Sequence, residues 1–266
     1  LIVNTRNANA FTGKEGFKSI NNISSLVSEL LSKKQLNDEE EPKKIKMKKL
    51  ITLLGLAAFA FAGQAVAAEK GFKSIFDGKS LKGWNGDPKF WSVQDGAITG
   101  NTTKENPTKG NTFIIWDGGK TGDFDLRLDY KIVGGNSGIQ YRSFKLKNGS
   151  DQWRIGGYQG DIDSGPTYSG ICYGEQFRGI LSLRGKKTTL TVGDDGKLKK
   201  AVEEFAKDAD VAKAVKKEQW NSYRIVARGF NLTQYINGVK TPQVIDRDKK
   251  TRRADGLLAF QLHAGP

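Results

Sequence analysis

Polar side chains at alternate positions along short strand-like segments are the first candidates for chemistry in this chain. On a strand, residues i and i+2 share a face. That rule puts Gln140 with Arg142, Gln159 with Asp161 and Asp163, Tyr173 with Glu175, and Gln261 with His263. If these faces line one concave sheet, they supply an arginine, several carboxylates, a histidine and amides to a single cleft. Such an inventory suits a sugar, whose hydroxyls need paired donors and acceptors. Trp153, Tyr158 and Tyr168 are available to stack on a sugar face. Each residue also has a plainer reading. Acids beside a Gly-rich turn commonly bond their own backbone, which applies to Asp161 and Asp163. Glu175 and Arg178 could pair with each other, and Gly138 in Asn136-Ser137-Gly138 reads as a turn former.

Counts of the reactive residue types narrow the chemistry. The 266 residues include one Cys and one His. A disulfide framework and a multi-His or Cys-rich zinc site are therefore excluded, and a Ser-His-Asp triad would require His263. Cys172 reads as a buried small apolar residue. A divalent cation on oxygen ligands such as Asp161 or Asp163 remains open, but no spacing asserts one and no other cofactor is evident.

The elements that would position these residues are β-strands. Asp125 to Val133 alternates apolar and polar residues, the period of a half-buried strand. Ser222 to Arg228 and Leu232 to Ile236 do likewise, the latter running into Asn237-Gly238, a strong hairpin signal. Leu257 to His263 puts Leu258, Phe260 and Leu262 on one face, opposite Gln261 and His263. Ser74–Phe76, Trp91–Val93, Gly96–Ile98, Phe113–Trp116 and Ile180–Leu183 read as further short strands. Leu198 to Lys217, rich in Ala, Lys and Glu, is predicted to be one short inserted helix. The expectation is an all-β sandwich.

The chain's only Met is residue 47. Lys48 and Lys49 follow it, then an apolar run from Leu50 to Gly63 and an Ala-rich end at Ala65 to Ala68. This is the pattern of a Sec-type signal peptide over 47–68, too short to span a bilayer. Residues 1–46 are then expected to be upstream or mis-called sequence, and 69–266 to be one periplasmic or secreted domain with no stable membrane span after signal cleavage. The net charge falls from +14 for the whole chain to +10 for residues 69–266. No basic run is interleaved with aromatics, so no nucleic-acid partner is expected.

A series of segments in order carries a family resemblance: Gly71 to Trp84, Trp91 to Gly96, Gly122 to Leu126, Asn136 to Arg142, Gly157 to Asp163, Trp220 to Gly229, Ile236 to Gly238 and Leu258 to Pro266. Together these resemble the DUF1080 family, described as the 3-keto-glycoside 1,2-lyase / 3-keto-2-hydroxyglucal hydratase (3-keto-disaccharide hydrolase) domain. The resemblance implies a concanavalin-A-like jelly roll. Relatives continue past the His-x-Gly segment into another strand, so a C-terminal truncation is expected here.

The implied activity is cleavage of an oxidised glycoside. A base removes the C2 proton acidified by the C3 carbonyl, the C1 leaving group departs, and water can add to the glucal. The resemblance implies Arg142 as enolate stabiliser, and His263 or one of Asp161, Asp163 and Glu175 as base. Gln140, Tyr158, Gln159, Tyr173, Arg178 and Gln261 would bind substrate. An upstream sugar dehydrogenase would act first. A non-catalytic lectin-like module and a two-carboxylate glycosidase are the competing readings; for the latter, Ser164-Gly165-Pro166 stands where related glucanases carry a third acid.

Overall fold

The computed structural model describes residues 2–3, 71–146 and 151–264. The signal-like stretch 47–68 lies outside them, as do residues 265–266. Of residues 1–46, only β1 (Ile2–Val3) is described. It pairs with Ile98 and Thr99.

Two large sheets form the sandwich. One orders its strands β10-β9-β8-β7-β16-β5-β2, namely Gly179–Ser182, Cys172–Glu175, Ile155–Asp163, Asn136–Lys145, Leu257–Leu262, Thr112–Trp116 and Trp84–Asn85. The other orders β12-β11-β15-β14-β13-β6, namely Leu198–Glu204, Lys186–Val192, Val239–Asp246, Asn231–Ile236, Asn221–Arg228 and Phe124–Tyr130. β3 (Trp91–Gln94) and β4 (Ala97–Gly100) form a third, small sheet with β1. The pairing of β11 with β15 is parallel, and the other strand pairs are antiparallel.

The alternation seen in the sequence is the alternation between core and surface. Leu126, Leu128 and Tyr130 of β6, and Tyr223, Ile225 and Ala227 of β13, enter one core with Ile139, Tyr141, Leu258, Phe260 and Leu262 from the facing sheet. Asn237 and Gly238 both have positive φ, at 49° and 80°, as a type I′ hairpin turn requires.

Two expectations fail. Ser74–Phe76 is not a strand. It is an irregular segment tied down by Ser74 Oγ donating to the Phe76 carbonyl and by Trp84 Nε1 donating to the Ile75 carbonyl at 2.8 Å. The predicted helix over Leu198–Lys217 is real only as α1 (Asp208–Ala212). Leu198–Glu204 is instead the edge strand β12, paired with β11 throughout. Cross-strand pairs Lys186–Glu204 and Lys187–Glu203 decorate that hairpin. Val202, which the helical spacing would bury, is 56% exposed. Sheet pairing outweighs the high helix propensity of Ala, Lys and Glu, which tertiary context readily overrides.

Candidate active site

Side chains directly opposite one another in an antiparallel pair lie on the same face. The register of the seven-stranded sheet therefore sorts its residues. Ile114, Phe260, Ile139, Gly160 and Cys172 are successive partners, and they face the core. The next row runs Asn85, Ile115, Ala259, Gln140, Gln159 and Tyr173, and it lies on the outer face. Asp161 and Gln261, each two residues along its strand from a member of that row, share it. The outer face is apolar at one end, where Phe113, Ile115, Ile155 and Ala259 cluster. It is polar at the other.

The polar end is a directional hydrogen-bond chain. Ser143 Oγ donates to Gln140 Oε1 at 2.7 Å, Gln140 Nε2 donates to Gln159 Oε1 at 2.6 Å, and Gln159 Nε2 donates to Asp161 Oδ1 at 2.5 Å. Gln159 Nε2 also lies 3.4 Å from Gln261 Oε1. Burial fixes these amides: Gln140, Gln159 and Gln261 are at most 1% exposed, and Asp161 is 6% exposed. Gly138 makes the arrangement possible. A Cβ there would stand 2.4 Å from Gln159 Cδ, so the Gln159 side chain lies across a gap only glycine leaves. Gly138 is thus a strand residue with a packing role, not the turn former the sequence suggested.

Asp161 has the electrostatics of a base. Burial is the main cause that lifts its pKa from 3.8 to about 7, with the charges of Asp163 and Glu175 adding to it. Hydrogen bonds from Gln159 and Asn136 oppose the shift without cancelling it. A carboxylate poised near neutrality is matched to proton abstraction at physiological pH. Tyr173 is beside it. Its phenol is held above its ordinary range by burial and by the charges of Glu175 and Asp161, and so stays a proton donor. Glu175, 5% exposed, accepts a hydrogen bond from Asn111 Nδ2 at 3.1 Å, and Asn111 Oδ1 accepts from the Ala264 amide. Asn111 was not singled out in the sequence: it precedes β5 in a loop, where no periodicity points to it.

The remaining sequence candidates lie elsewhere. Gln140 and Arg142 do not share a face, because β7 bulges between Tyr141 and Phe144 and Arg142 takes φ 47°. Arg142 is 1% exposed, and its guanidinium is consumed. It donates to the carbonyls of Gly122, Gly229 and Arg253 and to Asp123 Oδ1. That is a clamp on three loops, with no donor aimed at Asp161.

Tyr158 faces the core, one residue out of phase with Gln159. Its hydroxyl donates to Asp246 Oδ2 at 2.5 Å. Arg178 pairs with Asp246 and with Asp248, not with Glu175. Asp163 shares the face of Asp161, but its carboxylate accepts from the amides of Gly165 and Tyr168, the turn role open to it from the sequence. His263 is exposed at the end of β16, with Nδ1 2.9 Å from the Ala264 carbonyl oxygen. Tyr168 is 45% exposed. Trp153 does reach the outer face, where its Nε1 donates to Asn85 Oδ1 at 2.7 Å.

The acids of this site are largely engaged by the protein's own groups. Both Asp163 oxygens are already turned to backbone amides, and among the described residues no group of three or more His, Cys, Asp or Glu could hold a metal. Nor is any helix among the described residues long and apolar enough to cross a membrane.

The chain is similar to several known proteins. A family model of 3-keto-alpha-glucoside-1,2-lyase-like domains matches residues 71–266. A 3-keto-disaccharide hydrolase of Bacteroides thetaiotaomicron is 35% identical over 97 residues, which cover 30% of this chain and 32% of that protein. The chain thus spans about a third of the length of that curated relative. Among solved structures, a candidate glycosyl hydrolase from Parabacteroides distasonis aligns with TM-score 0.47 and 18% identity, over 73% of this chain and 88% of that one. The carbohydrate-binding module CBM66 from Bacillus subtilis aligns with TM-score 0.41 and 13% identity, over 68% and 88%.

Proposed function

The chain belongs to the family of 3-keto-alpha-glucoside-1,2-lyase-like domains, and from that premise we propose that it cleaves 3-keto glycosides with Asp161 as the base. The observation that carries the reading is the state of Asp161: buried, tethered by Gln159, and lifted to about 7. In its ionised form it takes the C2 proton of the oxidised ring. The C3 carbonyl acidifies that proton, and the electron pair left on C2 becomes an enolate whose oxygen needs a donor. Tyr173, protonated beside Asp161, supplies that donor in place of Arg142, whose hydrogen bonds are all spent on loops.

Collapse of the enolate expels the C1 substituent and gives the 2-hydroxyglucal. Addition of water across that double bond makes the net reaction a hydrolysis. The Ser143–Gln140–Gln159 chain keeps the carboxylate in one orientation through both steps, and such positioning is a large part of a catalytic barrier. Substrate must come from an enzyme that oxidises the C3 hydroxyl of a sugar. Export through the signal-like stretch at 47–68 belongs to the same proposal and is checked by the N-terminal sequence of the protein recovered from outside the cytoplasm.

The decisive experiment incubates the protein with a 3-keto disaccharide beside its unoxidised parent, followed by mass spectrometry. The glucal and a free 3-keto sugar are expected from the first and nothing from the second. Cleavage of the parent would point to a two-carboxylate glycosidase, and binding of either sugar without turnover would point to a recognition module. Asp161→Asn, which keeps the acceptor for Gln159 but cannot take a proton, should abolish the reaction. Undiminished turnover by that variant refutes the assignment of the base.

A further inference from the structure

The outer face of the seven-stranded sheet carries a cleft away from the Asp161 cluster. It is about 240 Å³ in volume, beside β5 and β2, lined by Asn85, Ile115, Leu257 and Trp153, with Trp116 at its margin. We propose that this cleft is a separate sugar-ring subsite, holding a glycosyl unit of the substrate remote from the bond that breaks. The proposal rests on the carbohydrate reading above for the identity of its ligand.

Position comes first. Ile115, Ala259, Gln140 and Gln159 are successive partners across β5, β16, β7 and β8, so the cleft and the Asp161 cluster open on one face. Three strand spacings separate Ile115 from Gln159, about 14 Å. That is too far for one sugar ring to touch both, and short enough for one glycan chain to do so.

Size and surface then select the occupant. Clefts for drug-sized ligands run to roughly 300–1,000 Å³, so this one is matched to a single ring. Both indoles are set before any ligand arrives. Trp153 is anchored by its Nε1 hydrogen bond to Asn85 Oδ1, and its own turn is held by Asp151 Oδ1, which accepts from the Trp153 amide at 2.8 Å. The Trp116 ring is seated between the core and Gly118, where a Cβ would stand 2.0 Å from it. Rigid, partly exposed aromatic rings cost little ordering entropy on binding. Around them stand exposed polar groups of both kinds, Lys145, Asp117 and Gln152. A pyranose matches this pattern, with apolar C–H faces for the indoles and a rim of hydroxyls for the ammonium, carboxylate and amide.

Two variants and two measurements test it. Trp153→Ala removes a lining indole. Gly118→Ala leaves both tryptophans in the chain but forces the Trp116 ring from its seat. Calorimetric titration with unoxidised cellotetraose and maltotetraose should show binding to the parent protein at least tenfold tighter than to either variant, with thermal denaturation confirming that each variant is folded.

With oxidised substrates, the parent protein should prefer a 3-keto tetrasaccharide over a 3-keto disaccharide in kcat/KM. Both variants should lose that preference while turning over the disaccharide as before. Absence of tetrasaccharide binding, or binding and chain-length preference unchanged in both variants, overturns the subsite. Variant-sensitive binding with no turnover of any 3-keto sugar would leave the subsite standing and remove the proposed reaction instead.

Discussion

Replacing Asp161 by asparagine should kill the reaction and stabilise the protein, and the size of the second effect follows from the site. The folded state raises the Asp161 pKa from 3.8 to about 7. Between those values the native protein holds a proton that the unfolded chain releases, so stability falls as pH rises through that window. It is undiminished below about pH 4 and fully reduced above about pH 7. Three pH units at about 1.4 kcal/mol each give a penalty of about 4 kcal/mol.

The substituted amide would carry no such charge, yet its carbonyl still accepts from Gln159. The Asp161→Asn variant should therefore unfold at a temperature higher by roughly 10 °C at pH 8, for a domain of this size, and at nearly the wild-type temperature at pH 4. Paired thermal and urea denaturation from pH 4 to 8 measures the gap directly. Parallel stability curves for the two proteins across that range would refute the electrostatic account of Asp161, whatever happened to activity. A gain in stability coupled to loss of turnover is the expected signature of a strained functional group.

Activity should rise with pH through an inflection near 7 as Asp161 ionises, a profile measurable as kcat/KM on a 3-keto disaccharide. Gly138→Ala should displace Gln159 and with it the orientation of Asp161. A loss of about 100-fold in turnover beside an overpacking cost of about 1–3 kcal/mol is expected, and equal activity would show that the amide chain does not position the base. Arg142→Ala should cost about 1–3 kcal/mol of folding stability for each buried carbonyl left without its donor, read by urea denaturation. It strips donors from three loop carbonyls and from Asp123. Arg142→Lys should restore little of this, because an ammonium cannot reproduce the planar fork.

Much of the sandwich was legible because its signals are local. Period-2 alternation in β6, β13 and β16 and the Asn237-Gly238 turn each depend on neighbours in the chain. The same rule grouped Gln159 with Asp161, and Tyr173 with Glu175. It misplaced Arg142 because one bulge shifts the phase of every later residue in the strand, and a bulge at a non-glycine with positive φ leaves no mark in composition. Arg178 was misassigned for another reason. Its partners Asp246 and Asp248 are about 70 positions away, and proximity in sequence made Glu175 look the obvious one. β12 looked helical because an exposed edge strand has no buried face to impose alternation.

β8 has one more consequence. Three of its nine residues, Gly156, Gly157 and Gly160, are glycines, each fitted against a neighbour. Phe144 and the Glu175 carbonyl crowd the first, Ser143 the second and the Tyr223 hydroxyl the third. Glycine gives a strand no intrinsic preference to form, at a cost of roughly 0.5–1 kcal/mol each. The segment that bears Gln159 and Asp161 therefore takes its shape from β7 and β9 on either side and from the sheet beneath. The placement of Gln159 and Asp161 is thus only as firm as the pairing of β8 with those two strands.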